Sequence, residues 1–407
     1  MQPGDYNPFS PVVQKDPYPY YAALRESAPA FRIEALKGFA VSRYEDVVFV
    51  LKNPNLFSSD AMNVPQMISN LGVMPQKVIQ AVQSPSLVAS DPPRHTRLRN
   101  VVSRAFTPRR MADLEPRIRS LARDLLRGLL SKGEGDLMSE LAVPLPLTVI
   151  AELIGIEPQR QTDFKRWSDD IAVGPMAKRS PEEQQRIGRS YCELYDYFEQ
   201  TIAQRQQSPR EDLISVLVQS SGQDGALSLE EVMSFCRLLL VAGNETTTHL
   251  IANTLVNLLR YPEQMARLRA DPSLVPNTLE EVLRYDSPIL ATLRRAREDV
   301  ELAGVTVPAG STVLPLIASA NRDSRRFPDP DRFDITRDTQ GQIAFGYGIH
   351  FCLGAALARL EARVVMEELL DSTRDISFAA GQAESIDWVG SFLLRGPKSL
   401  RLRFERR

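Results

Sequence analysis

Two periods run through the apolar positions of this chain, and the helical one covers most of its length. Near the N-terminus, Phe31-Arg32-Ile33-Glu34-Ala35-Leu36 alternates residue by residue, as a strand with one buried face does. Lys37-Gly38 offers a turn and Phe39-Ala40-Val41-Ser42 a return strand. Ser42-Arg43-Tyr44-Glu45 then fits a capping box ahead of Val47, Val48 and Leu51. Residues 58–90 lose the pattern around Pro65, Pro75 and Pro85 and read as a long, partly helical loop. From Met111 to about Gln206 the period is helical, with Leu114, Ile118, Leu121, Leu125 and Leu129 at helix spacing. Trp167, Ile171 and Val173 fit a pocket lid and plain core packing equally well.

The longest helical run spans Ser228 to Arg260. Ser228-Leu229-Glu230-Glu231 opens it as a capping box, and Tyr261-Pro262 closes it. A continuous helix of this length would extend about 50 Å. Its middle is apolar through Leu238-Leu239-Leu240-Val241-Ala242, then changes to Gly243-Asn244-Glu245-Thr246-Thr247-Thr248. Gly243 costs a helix about 1 kcal/mol relative to Ala. An acid and an alcohol beside an apolar run are expensive to bury in plain core. The pattern therefore fits a helix that lines a cavity where protons are delivered, with a helix-end or surface polar patch as the alternative. Further on, short strands are expected between Asp299 and Leu316, and a C-terminal hairpin from Trp388 to Phe404 around Arg395-Gly396-Pro397.

Composition narrows the classes. The chain has 407 residues, 43% hydrophobic and 25% charged, as in ordinary globular proteins. A net charge of −2 does not suggest a nucleic-acid partner. The 3 cysteines, at 192, 236 and 352, argue against a disulfide framework or a zinc cluster and fit a reducing cytoplasm. The first 21 residues are polar and proline-rich, and no run approaches the roughly 18–20 apolar residues of a bilayer span, so no membrane anchor is expected. Residues 1–407 carry no linker or repeat and read as one domain. No Gly-x-Gly-x-x-Gly follows a strand, so no bound flavin or second cofactor is expected.

Chemistry concentrates in Phe345-Gly346-Tyr347-Gly348-Ile349-His350-Phe351-Cys352-Leu353-Gly354. Gly346 and Gly348 let the backbone turn, and Gly354 removes a side chain two residues past the sulfur. Leu353, Leu357 and Leu360 then share a helical face, so Cys352 sits in a loop at the mouth of a helix, a placement that favours a thiolate. Three readings follow: a small buried apolar residue, a nucleophile with His350 as its base, or a metal ligand. Elsewhere, His95 and Arg99 are four apart on one helical face, which suits an anion site or a solvated basic face. Glu281 and Arg284 are three apart, close enough for an ion pair.

The glycine-framed stretch resembles the haem-binding loop of the cytochrome P450 family of haem-thiolate monooxygenases. Phe345, the spaced Gly346 and Gly348, His350 two before Cys352, and Gly354 two after it all match. The resemblance implies a mainly α fold, a single helical domain with small peripheral β-sheets, and haem b between the long central helix and the Cys352 loop. Cys352 would be the iron ligand. Thr246 and Glu245 would manage protons during use of O2. His95, Arg99, Arg294 and His350 would hold the haem propionates, with Arg295 competing with Arg294. Ala242, Phe345, Gly346 and Gly354 would adjoin the cofactor. Val241, Ala242, Ile289, Leu290, Ala291, Leu293, Phe392 and Leu393 would line the substrate side, roofed by residues 58–90. Glu281, Arg284 and Arg332 would form a buried structural triad.

The reaction implied is insertion of one oxygen atom from O2 into a mainly apolar small molecule, of the terpenoid, steroid, fatty acid or polyketide class. Electrons would come from a separate ferredoxin and ferredoxin reductase, because the length leaves no room for a fused reductase. Arg97, Arg104, Arg109 and Arg110 could dock such an acidic donor or simply form soluble surface. The protein is expected to be a cytoplasmic monomer. A peroxide-driven peroxygenase and a non-catalytic haem-dependent ligand-binding protein are the alternatives.

Overall fold

A computed structural model describes residues 1–62, 74–84, 86–172, 180–219, 227–383 and 385–407. Pro65, Val173 and Pro85, named above, lie outside the described residues. Two compact units emerge. The first comprises Met1–Ser58, Met111–Leu145 and Glu245–Arg407; the second comprises Ser59–Arg110 and Pro146–Asn244.

In chain order the helices that matter most are α1 (Tyr44–Lys52), α2 (Arg94–Ser103), α3 (Glu115–Lys132), α4 (Pro181–Gln207), α5 (Leu229–Ala242), α6 (Glu245–Arg260), α7 (Val275–Tyr285) and α8 (Ala355–Ser372). The strands are β1 (Ala30–Ile33), β2 (Gly38–Val41), β3 (Phe57–Ser58), β4 (Glu134–Asp136), β5 (Arg294–Ala296), β6 (Val300–Leu302), β7 (Val305–Val307), β8 (Thr312–Pro315), β9 (Thr373–Phe378) and β10 (Arg401–Arg406).

In the first unit, α6 packs against α7 and α8, and α8 packs in turn against α3 and α7. Every residue of α6 from Thr247 to Leu258 is buried, so this helix is enclosed rather than amphipathic. Helix α3 ends on left-handed Gly133 (φ 73°), which a side chain would strain. The main sheet runs β1-β2-β8-β5-β3. Its β2–β8 pair is parallel, with Phe39 opposite Val313, and its other pairs are antiparallel. Val41, Val47, Leu51, Phe57, Val313 and Ile317 form the core beside it.

Several expectations need correction. The first strand stops at Ile33, and Glu34–Leu36 form a single 3-10 turn that ends on left-handed Lys37 (φ 47°). The Ser42 capping box does not form. Helix α1 starts at Tyr44, whose N–H donates to the Asp323 carboxylate at 2.9 Å, while Ser42 Oγ donates to Pro29 O at 3.3 Å. A carboxylate distant in sequence has taken the capping role. The C-terminal hairpin reduces to an isolated bridge between Trp388 and Pro397. Strand β10 instead pairs with both β9 and β4, because Leu402 and Phe404 find a buried face there.

The second unit is helical. Both of its capping boxes are complete: Ser180 with Glu183 opens α4, and Ser228 with Glu231 opens α5. The expected continuous helix from Ser228 to Arg260 is interrupted at Gly243-Asn244, leaving α5 and α6 as separate helices. Gly243 still donates its N–H to Leu239 O at 2.9 Å, so the break falls where glycine has weakened the helix.

Candidate active site

The Cys352 loop is built on its glycines. Gly346 and Gly348 are both left-handed, at φ 76° and 71°. Gly348 also lies against α1, where a Cβ would stand 2.9 Å from Leu51 O. Glycine is needed there both for the turn and for the approach. Gly348–His350 make one 3-10 turn, and Cys352 N–H returns to Phe345 O at 2.9 Å, closing the loop. Arg359 lies over the Phe345 ring at 4.4 Å and donates to Glu280 of α7, which braces the loop from below.

Cys352 is exposed and forms no disulfide. A Cβ added at Gly354 would meet nothing within 4 Å. A soft sulfur donor with open space beside it, at the start of α8, suits a flat metal-bearing group. His350 is half-buried on the same turn.

Next to Glu280 on α7 lies the carboxylate–guanidinium cluster. Arg284 donates to both oxygens of Glu281 at 2.7 and 2.9 Å, and both side chains are 0% exposed. The second guanidinium on Glu281, and so the third side chain of the cluster, belongs to Arg337, whose Nε stands 3.3 Å from Oε1. Arg332 is therefore not the third side chain. Its guanidinium is 64% exposed and pairs with Asp334; only its carbonyl joins the cluster, accepting from Arg284 and Arg337. Asp329 is left-handed at φ 47°, and its carbonyl accepts from Arg337 at 2.8 Å.

Glu245 and Thr246 form the first turn of α6, half-buried. Burial pushes the Glu245 carboxyl up from its ordinary range. Thr248 donates to Ala142 O at 2.8 Å. On β5, strand alternation turns Arg294 inward and Arg295 out to solvent. Arg294 donates to Leu293 O at 2.8 Å.

Two of the expected substrate-side segments of this unit pair with each other. Leu290 N–H donates to Leu393 O at 2.8 Å, and Ile289 bridges to Leu394. Leu290, Ala291 and Leu293 are buried, and Ile289, Phe392 and Leu393 are half-buried. Phe392 meets Phe9 edge-on at 5.1 Å. The remaining candidates belong to the second unit. His95 and Arg99 share α2, His95 buried and Arg99 half-buried, while Val241 and Ala242 end α5. In the nearby basic cluster, Arg94 and Arg97 both bond to Glu231.

A model of one protein family matches residues 39–374, and that family is Cytochrome P450. The chain belongs to the cytochrome P450 family. It is 41% identical over 398 residues to cytochrome P450 monooxygenase PikC of Streptomyces venezuelae, covering 96% of this chain and 92% of PikC. To 6-deoxyerythronolide B hydroxylase of Saccharopolyspora erythraea it is 38% identical, covering 96% of each chain. The crystal structure of CYP109E1 from Bacillus megaterium in complex with corticosterone superposes with a TM-score of 0.86 at 36% identity, covering 96% of this chain and 99% of that one. This cytochrome P450 has the family's helical fold with small sheets and is an oxidoreductase of the monooxygenase class. Family membership carries with it haem iron and the use of O2. Among the described residues no helix is long and apolar enough to cross a membrane.

Sequence reasoning missed a buried polar hub packed against α6. Asp286 accepts from Tyr18 Oη at 2.8 Å, Arg395 Nε at 2.6 Å and Asn257 Nδ2 at 3.2 Å. Burial opposes its charge, yet Arg395 and Arg322 hold its carboxyl below the usual range. Asp286 and Arg395 are more than a hundred residues apart, so no local spacing signals the pair. His249 was missed as well, although its place four residues after Glu245 was a visible signal.

Proposed function

We propose that this cytochrome P450 inserts one oxygen atom from O2 into an apolar molecule of macrolactone or steroid size. The observation that carries this is the pairing of two elements. Glycine turns present Cys352 at the mouth of α8, and α8 packs against α6, whose first turn holds Glu245 and Thr246. Cys352 would hold haem b through its sulfur, and the haem iron supplies the site where O2 is reduced and cleaved. Inward-facing Arg294 and half-buried His350 suit the haem carboxylates, and the resemblance adds His95 and Arg99 to that set. Thr246 Oγ1 orients a proton donor, and Glu245, its carboxyl raised by burial, gives up and regains a proton. Apolar Leu290, Ala291 and Leu293 exclude water from the substrate side. Relatives named for 6-deoxyerythronolide B and solved with corticosterone support the size and apolar character of the substrate. Electrons come from a separate ferredoxin and its reductase.

The reduced protein under carbon monoxide tests the ligand. Wild type should give the red-shifted thiolate band, and Cys352→Ala should lose it. A retained band would remove Cys352 from the iron. Titration with testosterone and with a macrolactone, read as the haem spin-state shift, tests the substrate class; absence of a shift with both would reject it.

A further inference from the structure

His249 has no part in the chemistry above. It lies on α6 three residues beyond Thr246 and four beyond Glu245, hence on the same helical face one turn further on. It is 3% exposed, and its Nδ1 makes no hydrogen bond among the described residues. Burial pushes its pKa down to about 4, so the ring is neutral at ordinary pH.

What the ring meets is bare backbone. A Cβ built on Gly396 would stand 2.8 Å from His249 Cβ and nearer still to the ring carbons Cγ and Cδ2. Gly396 is not in the left-handed region, so the imidazole demands this glycine and the turn does not. One helical turn later, Asn253 Nδ2 donates to Arg395 O and to Asp286 O, both at 3.0 Å. Two successive turns of α6 thus seat residues 395 and 396. That segment is paired with residues 288–290: Arg395 N–H donates to Pro288 O at 2.9 Å, and Leu290 N–H to Leu393 O at 2.8 Å. The pair carries Ile289, Leu290, Phe392 and Leu393. A flat ring buried on all sides holds a spacing that a flexible chain such as Met would not.

We propose that His249 is a positioning residue whose ring sets how closely the 288–290 and 393–396 pair approaches the Glu245–Thr246 turn. Its bearing on the pocket rests on the proposed function; the contact with Gly396 does not.

Five holoenzymes test this: wild type, His249→Ala, Gly396→Ala, the double variant, and His249→Phe. The readouts are affinity for 4-phenylimidazole, an iron ligand that needs no knowledge of the substrate, hydrogen exchange of the 389–396 amides, and melting temperature. Each alanine single variant should weaken 4-phenylimidazole by about tenfold, as an ångström-scale misplacement does, and speed exchange at 389–396. In the double variant the new methyl group enters the vacated space, and affinity should return to within about threefold of wild type. His249→Phe, which keeps a flat ring, should stay near wild type. If His249→Ala lowers only the melting temperature, the ring is core filling and the proposal fails. It fails equally if the folded double variant shows no recovery, or if His249→Phe behaves like His249→Ala. The thiolate band of the wild-type carbon monoxide complex, read in parallel, reports on the haem assignment independently.

Discussion

Glu361 sits in α8 with 2% exposure, and its Oε2 has no hydrogen-bond partner among the described residues. Burial pushes its carboxyl well above the usual range. A carboxyl raised on folding contributes stability that is present below the ordinary carboxyl range and lost as pH rises through the raised value. Glu361→Gln should therefore melt higher than wild type at pH 8, by about 1–3 °C, with the difference shrinking toward pH 4. Equal melting curves at pH 8 would show that the carboxyl has found a partner. Thr246→Ala should keep consuming NADPH while the share appearing as product falls about tenfold, measured against peroxide released. These two residues differ in how far sequence exposes them. Glu245 and Thr246 interrupt an apolar run, which marks them at once. Glu361 stands among Ala, Arg and Leu in an unremarkable helical pattern, and only packing on every side of α8 buries it.

Among the elements, the Glu281 cluster and the α3–α8 brace make separate demands. Arg337→Ala leaves the fully buried Glu281 with one fewer cation and should cost about 3 kcal/mol, read by denaturant unfolding of the holoenzyme. Arg332→Ala removes an exposed side chain and should stay within about 0.5 kcal/mol. The reverse order would restore Arg332 to the cluster. Across α3 and α8, Arg119 donates to Glu115 at 2.8 Å, Glu367 at 2.6 Å and Glu368 at 2.8 Å. Arg363 ties Glu115 to Glu367 as well. Hydrogen bonds from Arg119 and Arg363 hold the Glu115 carboxyl below its usual range. A depressed carboxyl contributes stability above the ordinary range that is lost as pH falls through it. Arg119→Met should thus cost about 1 kcal/mol at pH 7 after solvent screening, and little near pH 3 or in 1 M salt. Helices were legible because their period is local. The Ser228 box formed because Glu231 keeps Oε2 for the Ser228 N–H while Oε1 takes Arg94 and Arg97, whereas at the start of α1 Asp323 takes the place of Ser42. The pairing of β10 with β4 joins segments too far apart for any local pattern to announce.

For the molecule as a whole, the order of the motifs was readable but the division into two units was not. Each unit is assembled from separated segments, three in one and two in the other, so no linker or change in composition marks a boundary. The main sheet has the same discontinuity, and it sets a timetable. Strands β1 and β2 are made early, but the second neighbour of β2 begins at Thr312. At about 5–20 residues per second, the roughly 270 residues between them take on the order of 15–50 s to synthesise. For that interval Phe39-Ala40-Val41 presents an open strand edge, which is a template for association with other nascent chains. Slow translation anywhere between residues 42 and 311 prolongs the exposure, and the same delay after residue 316 does not. Placing a run of slow codons in the first region should lower soluble yield more than placing it in the second, with the amino-acid sequence unchanged.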